Sequence, residues 1–483
     1  MDHDLVVFVP GILGTRLTRD GKDVWNQSLQ ALLGLRRPGR ALEGLTLPPG
    51  IGDEAPEEPW ALGSDRLLKS PEALPGFVAS MGYPDVRAAL GLTGPGGGGA
   101  RREPHPRQYM AFPYDWRLSN RLTARRLRDR VETALAEWRE LAPGVYPEAH
   151  DDPPKLILMC HSMGGLVARY YLECLGGRDH TRALVTLGTP FRGAAKAVRV
   201  LTGHALEPGH TVTRAFERAL SVNERLAGLA RSFPSVAQLL PRYEAVLRED
   251  GDRRRLLTRV PVPDLPTELV AEAFAFHRDI DEAWERNQAG RAAPPYRVHC
   301  FAGRAHPTEH GVVVRADGTL EFTTRLDNDG DWSGDGTVPA GSALAAWTLE
   351  REDDALWNGE RHSGMAGAES LRHQLGAVRR GRPARLMLDG DTAFGLQVPE
   401  LAAAGVPFTI RATGSTVTER TLRACLAPPA GDPAAAPEAV PLLPDGTGGL
   451  TAELTAPAGT WVLRVEADRP YGVCHEVVTV AEL

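Results

Sequence analysis

A serine on a tight turn is the clearest chemical signal in this sequence. Ser162 follows the apolar run LILMC at 156–160 and precedes Gly164 and a helical pattern. A strand, a tight turn and a helix in this order form a nucleophile elbow: the strained serine projects its Oγ above the sheet, and the helix N-terminus faces a developing oxyanion. Cys160 replaces the usual leading glycine, and we expect its thiol to be a buried packing group. The pattern predicts Ser162 as a nucleophile.

A serine nucleophile needs a histidine base that is held by a carboxylate, and after such an elbow the chain order is serine, acid, histidine. Three histidines follow the acidic residues at 327–354, namely His362, His373 and His475. His373 fits an exposed helix position and His475 lies in a later β-rich region, so His362, in a loop, is the predicted base. Asp335 stands between two glycines in the run SGDGTVP and is the predicted acid.

Metal sites and cofactors are not indicated by the sequence. The acidic cluster Asp327, Asp329 and Asp331 resembles the start of a calcium loop, but Trp332 replaces the required glycine and Val338 the bidentate glutamate. We interpret it as a solvated acidic loop. The five cysteines include no C-x-x-C pair, so neither a zinc site nor a disulfide framework is indicated. The prediction is therefore no cofactor and no metal.

The elements that must position these residues alternate between buried strands and helices. Apolar runs at 5–9, 156–160 and 183–190 each end at a glycine-containing turn. Strands that alternate with helices predict an α/β fold with a parallel sheet. Helical stretches between about 203 and 296 interrupt this rhythm. We interpret them as a mostly helical cap insertion beside the ligand crevice.

The composition changes near residue 385, where short alternating runs separated by Gly, Pro and Asp begin. This pattern is typical of an all-β sandwich, here of the immunoglobulin-like type. We therefore divide the chain into a catalytic domain at 1–382 and a β-sandwich domain at 385–483. Because the catalytic motifs end before the boundary, we expect a chain that ends near 382 to hydrolyse a soluble short-chain ester.

Charge and hydropathy narrow the possible partners. The 483 residues carry a net charge of −7, and only four of the 55 basic residues are lysine. No clustered basic run of five or more residues occurs, which argues against nucleic acid. The apolar run at 5–9 is too short for a signal peptide, and no run approaches the roughly 18 apolar residues of a transmembrane helix. We expect a cytoplasmic protein.

Six segments in a fixed order resemble the lecithin:cholesterol acyltransferase family, and the resemblance spans about residues 5–380. The segments are FVPGILGT at 8–15, PYDWR at 113–117, HSMGG at 161–165, GTPFRG at 188–193, GDGTVP at 334–339 and H-x-x-M at 362–365. The resemblance implies an α/β-hydrolase fold with a cap and acyl-enzyme chemistry on lipid esters. It implies Ser162 as nucleophile, Asp335 as acid and His362 as base. It also implies that the backbone N–H groups of Ile12 and Met163 form the oxyanion hole.

Two aromatic segments leave alternatives open. Tyr114 and Trp116 either line the substrate pocket near the elbow or anchor a loop together with the neighbouring charged residues, and we favour the anchor. Trp25 and the leucines at positions 29, 32 and 33 recur at helical spacing. They form either an amphipathic lid that meets a lipid surface or part of the core.

The predicted activity is that of a serine-dependent lipid ester hydrolase or acyltransferase of the phospholipase A type. The alternatives are a neutral-lipid lipase or small-ester esterase, and a catalytically inactive lipid-binding or scaffold protein. The expected partners are a lipid ester substrate and a protein that binds the C-terminal domain. Presentation of the lipid at a membrane surface is one of the alternatives.

Overall fold

The computed structural model describes most of the chain. The described residues are 3–26, 44–69, 72–74, 78–80, 82–83, 105–205, 222–251, 253–291, 293–325, 332–347, 355–367, 394–399, 401–414, 417–419, 421–428, 439–468 and 473–481. None of the helices within these ranges has both the length and the apolar character needed to cross a membrane.

The described residues form 23 strands and six α-helices. The strands are β1 (Leu5–Val9), β2 (Thr15–Arg19), β3 (Lys22–Trp25), β4 (Gly63–Leu67), β5 (Glu72–Leu74), β6 (Val78–Ser80), β7 (Tyr109–Ala111), β8 (Leu156–His161), β9 (Thr181–Leu187), β10 (Val246–Arg248), β11 (Arg297–Gly303), β12 (Gly311–Val314), β13 (Leu320–Thr323), β14 (Leu356–Asn358), β15 (Gly395–Gln397), β16 (Leu401–Ala403), β17 (Phe408–Thr413), β18 (Leu422–Ala427), β19 (Val440–Pro441), β20 (Leu443–Pro444), β21 (Leu450–Leu454), β22 (Gly459–Ala467) and β23 (Val473–Ala481). The helices are α1 (Asn120–Val145), α2 (Gly164–Cys174), α3 (Ala195–Leu201), α4 (Val222–Arg231), α5 (Pro234–Ala237) and α6 (Thr267–Gln288).

A six-stranded parallel sheet forms the centre of the molecule, in the order β14-β11-β9-β8-β1-β7. Strands β1 and β8 are buried along their whole length, as a sheet covered on both faces requires. The strand order reverses between β1 and β8, because β1 pairs with β7 on its other side. Ligands of such sheets bind beyond the carboxyl ends of the strands at this switch point. The predicted parallel α/β sheet is confirmed.

Helix α1 covers the sheet through a periodic apolar face. Leu127, Val131, Leu135 and Trp138 recur every three or four residues and are all buried. Ser119 caps the helix, since its side chain accepts a hydrogen bond from the backbone N–H of Arg121. The helix thus has a clear N-terminal signal and one buried stripe.

Helix α6 lies within the predicted insertion at 203–296 and packs against α2, the helix that follows Ser162. Arg169 on α2 forms an ion pair with Asp281 on α6, and the rings of Tyr170 and Phe276 stack at 5.8 Å. The chain then enters the central strand β11. Helix α6 is thus a crossover helix of the sheet, so the part of 203–296 that remains for a cap is shorter than the sequence predicts.

The C-terminal residues form two sheets that share one core. The sheets have the orders β15-β17-β21-β20 and β16-β23-β22-β18-β19. Ile410 and Leu450 from the first sheet pack with Leu463 and Val478 from the second. The second sheet also touches the β5–β6 hairpin through β23. The predicted boundary at 382–385 lies outside the described residues, and the immunoglobulin-like type stays a prediction.

Candidate active site

The backbone of Ser162 adopts a left-handed conformation, with φ of +51°, between β8 and α2. This region is costly for a residue with a side chain, and such strain recurs at functional sites. Ser162 is held there because its N–H donates to the carbonyl of Leu187 at 2.8 Å. A side chain at Gly164 would lie 2.6 Å from the carbonyl oxygens of Val9 and Pro10. The glycine therefore allows α2 to start close to β1, as an elbow requires.

The three residues predicted as nucleophile, acid and base meet in one buried cluster. His362 Nε2 lies 2.9 Å from Ser162 Oγ, and His362 Nδ1 lies 2.7 Å from Asp335 Oδ2. Asp335 Oδ1 accepts the backbone N–H groups of Thr337 and Val338 at 2.9 and 2.6 Å. Burial alone raises the pKa of Asp335, but the charge and hydrogen bonds of His362 and the two amides outweigh it, so this pKa is lowered. The carboxylate is thus available to orient the imidazole.

Gly188 leaves room for the hydrogen bond between acid and base. Its φ is +59°, and a side chain there would lie 2.8 Å from Asp335 Oδ2 and 3.0 Å from His362 Nδ1. The first separation is shorter than real Cβ contacts, and the second is shorter than most of them. The glycine of the GTPFRG segment is therefore a spacer for the acid–base pair.

The turn after β1 lies against the nucleophile. A side chain at Gly11 would lie 2.9 Å from Ser162 Cβ, so the segment before Ile12 is in close contact with the elbow. Met163 caps the N-terminus of α2. Within the described part of the chain, neither the N–H of Ile12 nor that of Met163 donates a hydrogen bond to another protein group. Both amides are available for an oxyanion, and their assignment stays a prediction.

A buried hydrogen-bond chain that the sequence analysis did not predict connects three parts of the site. Tyr83 Oη accepts the N–H of Gly11 at 3.1 Å and lies 2.8 Å from His161 Nδ1, while His161 Nε2 lies 3.1 Å from the carbonyl oxygen of His362. Burial, with the nearby His362, lowers the pKa of His161 to about 3. The neutral ring therefore donates from Nε2 and accepts from Tyr83 at Nδ1. His161 stands in the HSMGG segment and could have been suspected, whereas Tyr83 belongs to no motif.

The rival candidates occupy other environments. Cys160 is fully buried in β8, and burial raises the pKa of its thiol, which favours the packing role. His475 lies beside Glu360, with 3.2 Å between His475 Nδ1 and Glu360 Oε1. His373 and the acidic cluster at 327–331 lie outside the described residues.

The aromatic run at 113–117 contacts the interior of the protein. The hydroxyl of Tyr114 donates to the carbonyl of Pro10 at 2.9 Å, which ties the run to the turn after β1. Trp116 is fully buried and packs edge-on against Trp25, with ring centroids 5.6 Å apart. These contacts favour the anchoring role, and the assignment of Tyr114 and Trp116 to the substrate pocket stays a prediction. Trp25 is a core residue, while the leucines at 29, 32 and 33 lie outside the described residues.

Two solved bacterial enzymes are similar to the chain as structures. The lipase BlEst2 of Bacillus licheniformis, in its propeptide form, aligns with 96% of this chain and 71% of its own, at 11% identity and a TM-score of 0.29. The phospholipase PlaB of Legionella pneumophila aligns with 99% of this chain and 92% of its own, at 11% identity and a TM-score of 0.30.

The sequence comparisons show similarity to one family. The sequence model of the lecithin:cholesterol acyltransferase family matches residues 104–256. The lysosomal phospholipase A and acyltransferase of Homo sapiens is 26% identical over 257 residues, which are 50% of this chain and 54% of that protein. The Canis lupus familiaris protein of the same name is 25% identical over 276 residues, 54% of this chain and 60% of that protein. The chain thus spans little more than half the length of these curated relatives. The matches and the motif order both make this chain similar to the lecithin:cholesterol acyltransferase family.

Proposed function

We propose that this chain is a serine-dependent hydrolase or acyltransferase of lipid esters with phospholipase A-like activity. The observation that carries the proposal is the 2.9 Å separation of Ser162 Oγ and His362 Nε2 at a strained elbow. Similarity to that family supports the substrate class, since the curated relatives are named as phospholipase A and acyltransferase. Asp335, hydrogen-bonded to the other nitrogen of His362, completes the set of groups that acyl transfer requires.

The first half of the proposed reaction forms an acyl-enzyme. Ser162 Oγ attacks the ester carbonyl carbon while its proton passes to His362 Nε2. The backbone N–H groups of Ile12 and Met163 donate hydrogen bonds to the carbonyl oxygen and stabilise the negative charge that develops on it. The carbon–oxygen bond to the leaving alcohol then breaks, and the alcohol oxygen takes the proton from His362 Nε2. Asp335 stabilises the imidazolium that exists between these transfers.

The second half resolves the acyl-enzyme. Water or a second alcohol attacks the acyl carbon and gives its proton to His362 Nε2, and the proton then returns to Ser162 Oγ as the ester bond breaks. Water yields a fatty acid and an alcohol yields a new ester. The same three side chains serve both outcomes, so the acceptor that reaches the site decides between hydrolysis and transfer.

Substrate assays separate the proposal from its nearest alternative. We expect turnover of phosphatidylcholine in mixed vesicles, with release of fatty acid and lysophospholipid, and transfer to an added long-chain alcohol. Turnover confined to triglyceride emulsions or to p-nitrophenyl butyrate would favour the neutral-lipid lipase or small-ester esterase. An inactive lipid-binding or scaffold protein would turn over none of the three.

A cytoplasmic location is part of this proposal. The five cysteines are free thiols in the structure, which is compatible with a reducing compartment. The two curated relatives are named as lysosomal proteins. Cell fractionation tests the point, and recovery of the protein from an acidic or extracellular compartment would contradict it. A protein partner for the C-terminal sheets also stays a prediction.

A further inference from the structure

The loop that carries His362 lies against the C-terminal sheets. This base loop, residues 359–364, follows β14, whereas the strands that it contacts are β15 and β23, which lie later in the chain. The sequence analysis gave the C-terminal domain only a role in binding a protein partner. The contacts of its sheets with the base loop indicate a role inside the catalytic machinery.

Glu476 on β23 holds the residues on both sides of His362. Its Oε1 accepts a hydrogen bond from Ser363 Oγ at 2.8 Å, and its Oε2 accepts one from Arg361 Nε. Arg361 also donates through Nη1 to the carbonyl of Leu396 on β15. All of these side chains are buried. The backbone of His362 is therefore fixed from both neighbours by one carboxylate on the last strand.

His306 forms a second connection between the same parts. Its backbone pairs with Gly334, next to the acid, with N···O separations of 3.1 and 3.0 Å. Its Nε2 lies 2.9 Å from the carbonyl oxygen of Gly359, and its Nδ1 accepts the N–H of Leu396 at 3.0 Å. Burial lowers the pKa of His306 to about 4, so the ring is neutral and makes both contacts at once. The acid loop, the base loop and β15 thus share one buried histidine.

A small displacement of the base loop would be enough to lower the rate. Proton transfer requires His362 Nε2 to stay within hydrogen-bond reach of Ser162 Oγ. A shift of about 1 Å at a reacting group lowers rates about 100-fold. We propose that Glu476 is a positioning residue, which holds the base through Arg361 and Ser363 and so makes the C-terminal sheets part of the active site. This inference rests on the proposed serine chemistry.

The contacts between the base loop and the C-terminal sheets also bear on the activity expected of a shortened chain. A chain that ends near residue 382 would lack Leu396 and Glu476, and with them the partners of Arg361 and Ser363. The expectation that such a chain hydrolyses short esters is therefore opposed by these contacts. A point substitution in the full-length chain tests the role without exposing the apolar surface that truncation would uncover.

The test compares Glu476→Ala with the wild type in two assays. One assay follows hydrolysis of p-nitrophenyl butyrate, and the other measures the rate constant of labelling by a fluorophosphonate, which requires an activated serine. We expect kcat and the labelling rate constant to fall together by about 10-fold to 100-fold. KM for the short ester should stay within about twofold, since the ester does not contact Glu476 in this account. Glu453→Ala, at an exposed position on β21, is the matched control.

The extent of labelling separates positioning from loss of folded protein. Labelling that runs to completion counts the active sites, so the rate constant per site is independent of the folded fraction. A double-mutant cycle adds a second criterion: if Ser363 acts through Glu476, the variant Ser363→Ala/Glu476→Ala should be no slower per site than Glu476→Ala. A variant that merely destabilises the fold would lose sites without losing rate per site, and this result would overturn the inference.

If Glu476→Ala does not fold, Ser363→Ala alone tests whether the contact with Glu476 positions the base. It removes one contact and leaves the Arg361–Glu476 pair intact, and the rate per site should fall about threefold or more, as for a lost hydrogen bond. A wild-type rate per site in either folded variant would refute the inference. A wild-type protein that the fluorophosphonate does not label would instead refute the proposed function.

Discussion

Two groups near the elbow are possible nucleophiles, and their surroundings differ. Ser162 Oγ lies 2.9 Å from the base, while the thiol of Cys160 is buried in the sheet. Ser162→Ala should lower kcat/KM by about 10³-fold or more, because the members of a triad act as a unit. Cys160→Ala should keep most of the activity. Steady-state assays with p-nitrophenyl butyrate and thermal unfolding of both variants check this, and an active Ser162→Ala beside an inactive Cys160→Ala would reverse the assignment.

The space at Gly188 gives a second prediction. In Gly188→Ala the new methyl group would meet Asp335 Oδ2 at 2.8 Å and force the acid–base pair apart, so kcat should fall about 100-fold. Gly176→Ala is the matched control, because Gly176 also has a positive φ, of +82°, but has nothing within 4 Å of a new side chain. Both variants should lose some stability from the left-handed backbone. Equal kcat values in the two variants would contradict the spacer role.

Residue types in known motifs explain which site residues could be predicted from the sequence. Ser162, Asp335 and His362 could be predicted because their types, order and flanking glycines match acyl-transfer chemistry, and the structure brings them together. Tyr83 and His306 were missed, because their importance depends on contacts with residues far away in the chain. Tyr83 lies 78 positions from His161, and no periodicity or motif connects such a pair.

Among the elements, the loops that carry Ser162, Asp335 and His362 meet beyond the carboxyl ends of the parallel strands. The alternation of strands and helices predicted this sheet, because runs buried on both faces are visible in the sequence. It did not show that α6 is a crossover helix, since helical periodicity does not distinguish a helix that packs on the sheet from one that covers the crevice. That distinction depends on tertiary contacts such as the Arg169–Asp281 ion pair.

The hydrogen-bond chain through Tyr83 joins the turn after β1, the elbow and the base loop. Removal of the Tyr83 hydroxyl alone would interrupt it. Tyr83→Phe removes the hydroxyl between Gly11 N–H and His161 Nδ1 and leaves both without that partner. We expect kcat to fall about tenfold, in proportion to the loss of about one buried hydrogen bond.

Tyr146→Phe is the control for this change. It also removes a buried hydroxyl with a hydrogen-bond partner, here Gln108 at 2.9 Å, but at the end of α1. Thermal unfolding should show a comparable loss of stability in the two variants, and only Tyr83→Phe should lower kcat. Wild-type kcat in a folded Tyr83→Phe would show that the chain does not position the site.

At the scale of the whole molecule, the alternating pattern after residue 385 predicted β-structure but not its position against the base loop. Alternation identifies which residues face a core, as for Ile410 and Leu463, whereas the Arg361–Glu476 pair joins residues 115 positions apart. Contacts of that separation arise from tertiary packing alone. The sequence therefore predicted two regions but not the contacts between them.

Buried neutral histidines make the stability of the molecule depend on pH. Burial lowers the pKa of His161 to about 3, that of His306 to about 4 and that of His277 well below its ordinary value. In the unfolded chain these side chains are protonated below about pH 6.5, whereas in the folded chain they stay neutral until the pH approaches their lowered pKa values. Between about pH 6.5 and 4 the unfolded state binds more protons. The free energy of unfolding should therefore fall as pH falls, by up to about 1.4 kcal/mol per pH unit for each histidine.

Urea unfolding at several pH values checks this prediction. His277→Gln removes one titrating group and retains a donor for the carbonyl of Gln238, so the slope between pH 6 and 5 should decrease by about one proton. The wild-type chain, measured in parallel, gives the reference slope. An unchanged slope in His277→Gln would contradict the account of the buried histidines.

The proposed function depends on Ser162 being an activated nucleophile. The most direct test treats the purified full-length chain with a fluorophosphonate and identifies the modified residue by mass spectrometry. We expect one phosphonylated residue, Ser162, with labelling abolished in Ser162→Ala and slowed at least about 100-fold in His362→Ala. Modification of another residue, or no modification of a protein that unfolds cooperatively, would contradict this expectation.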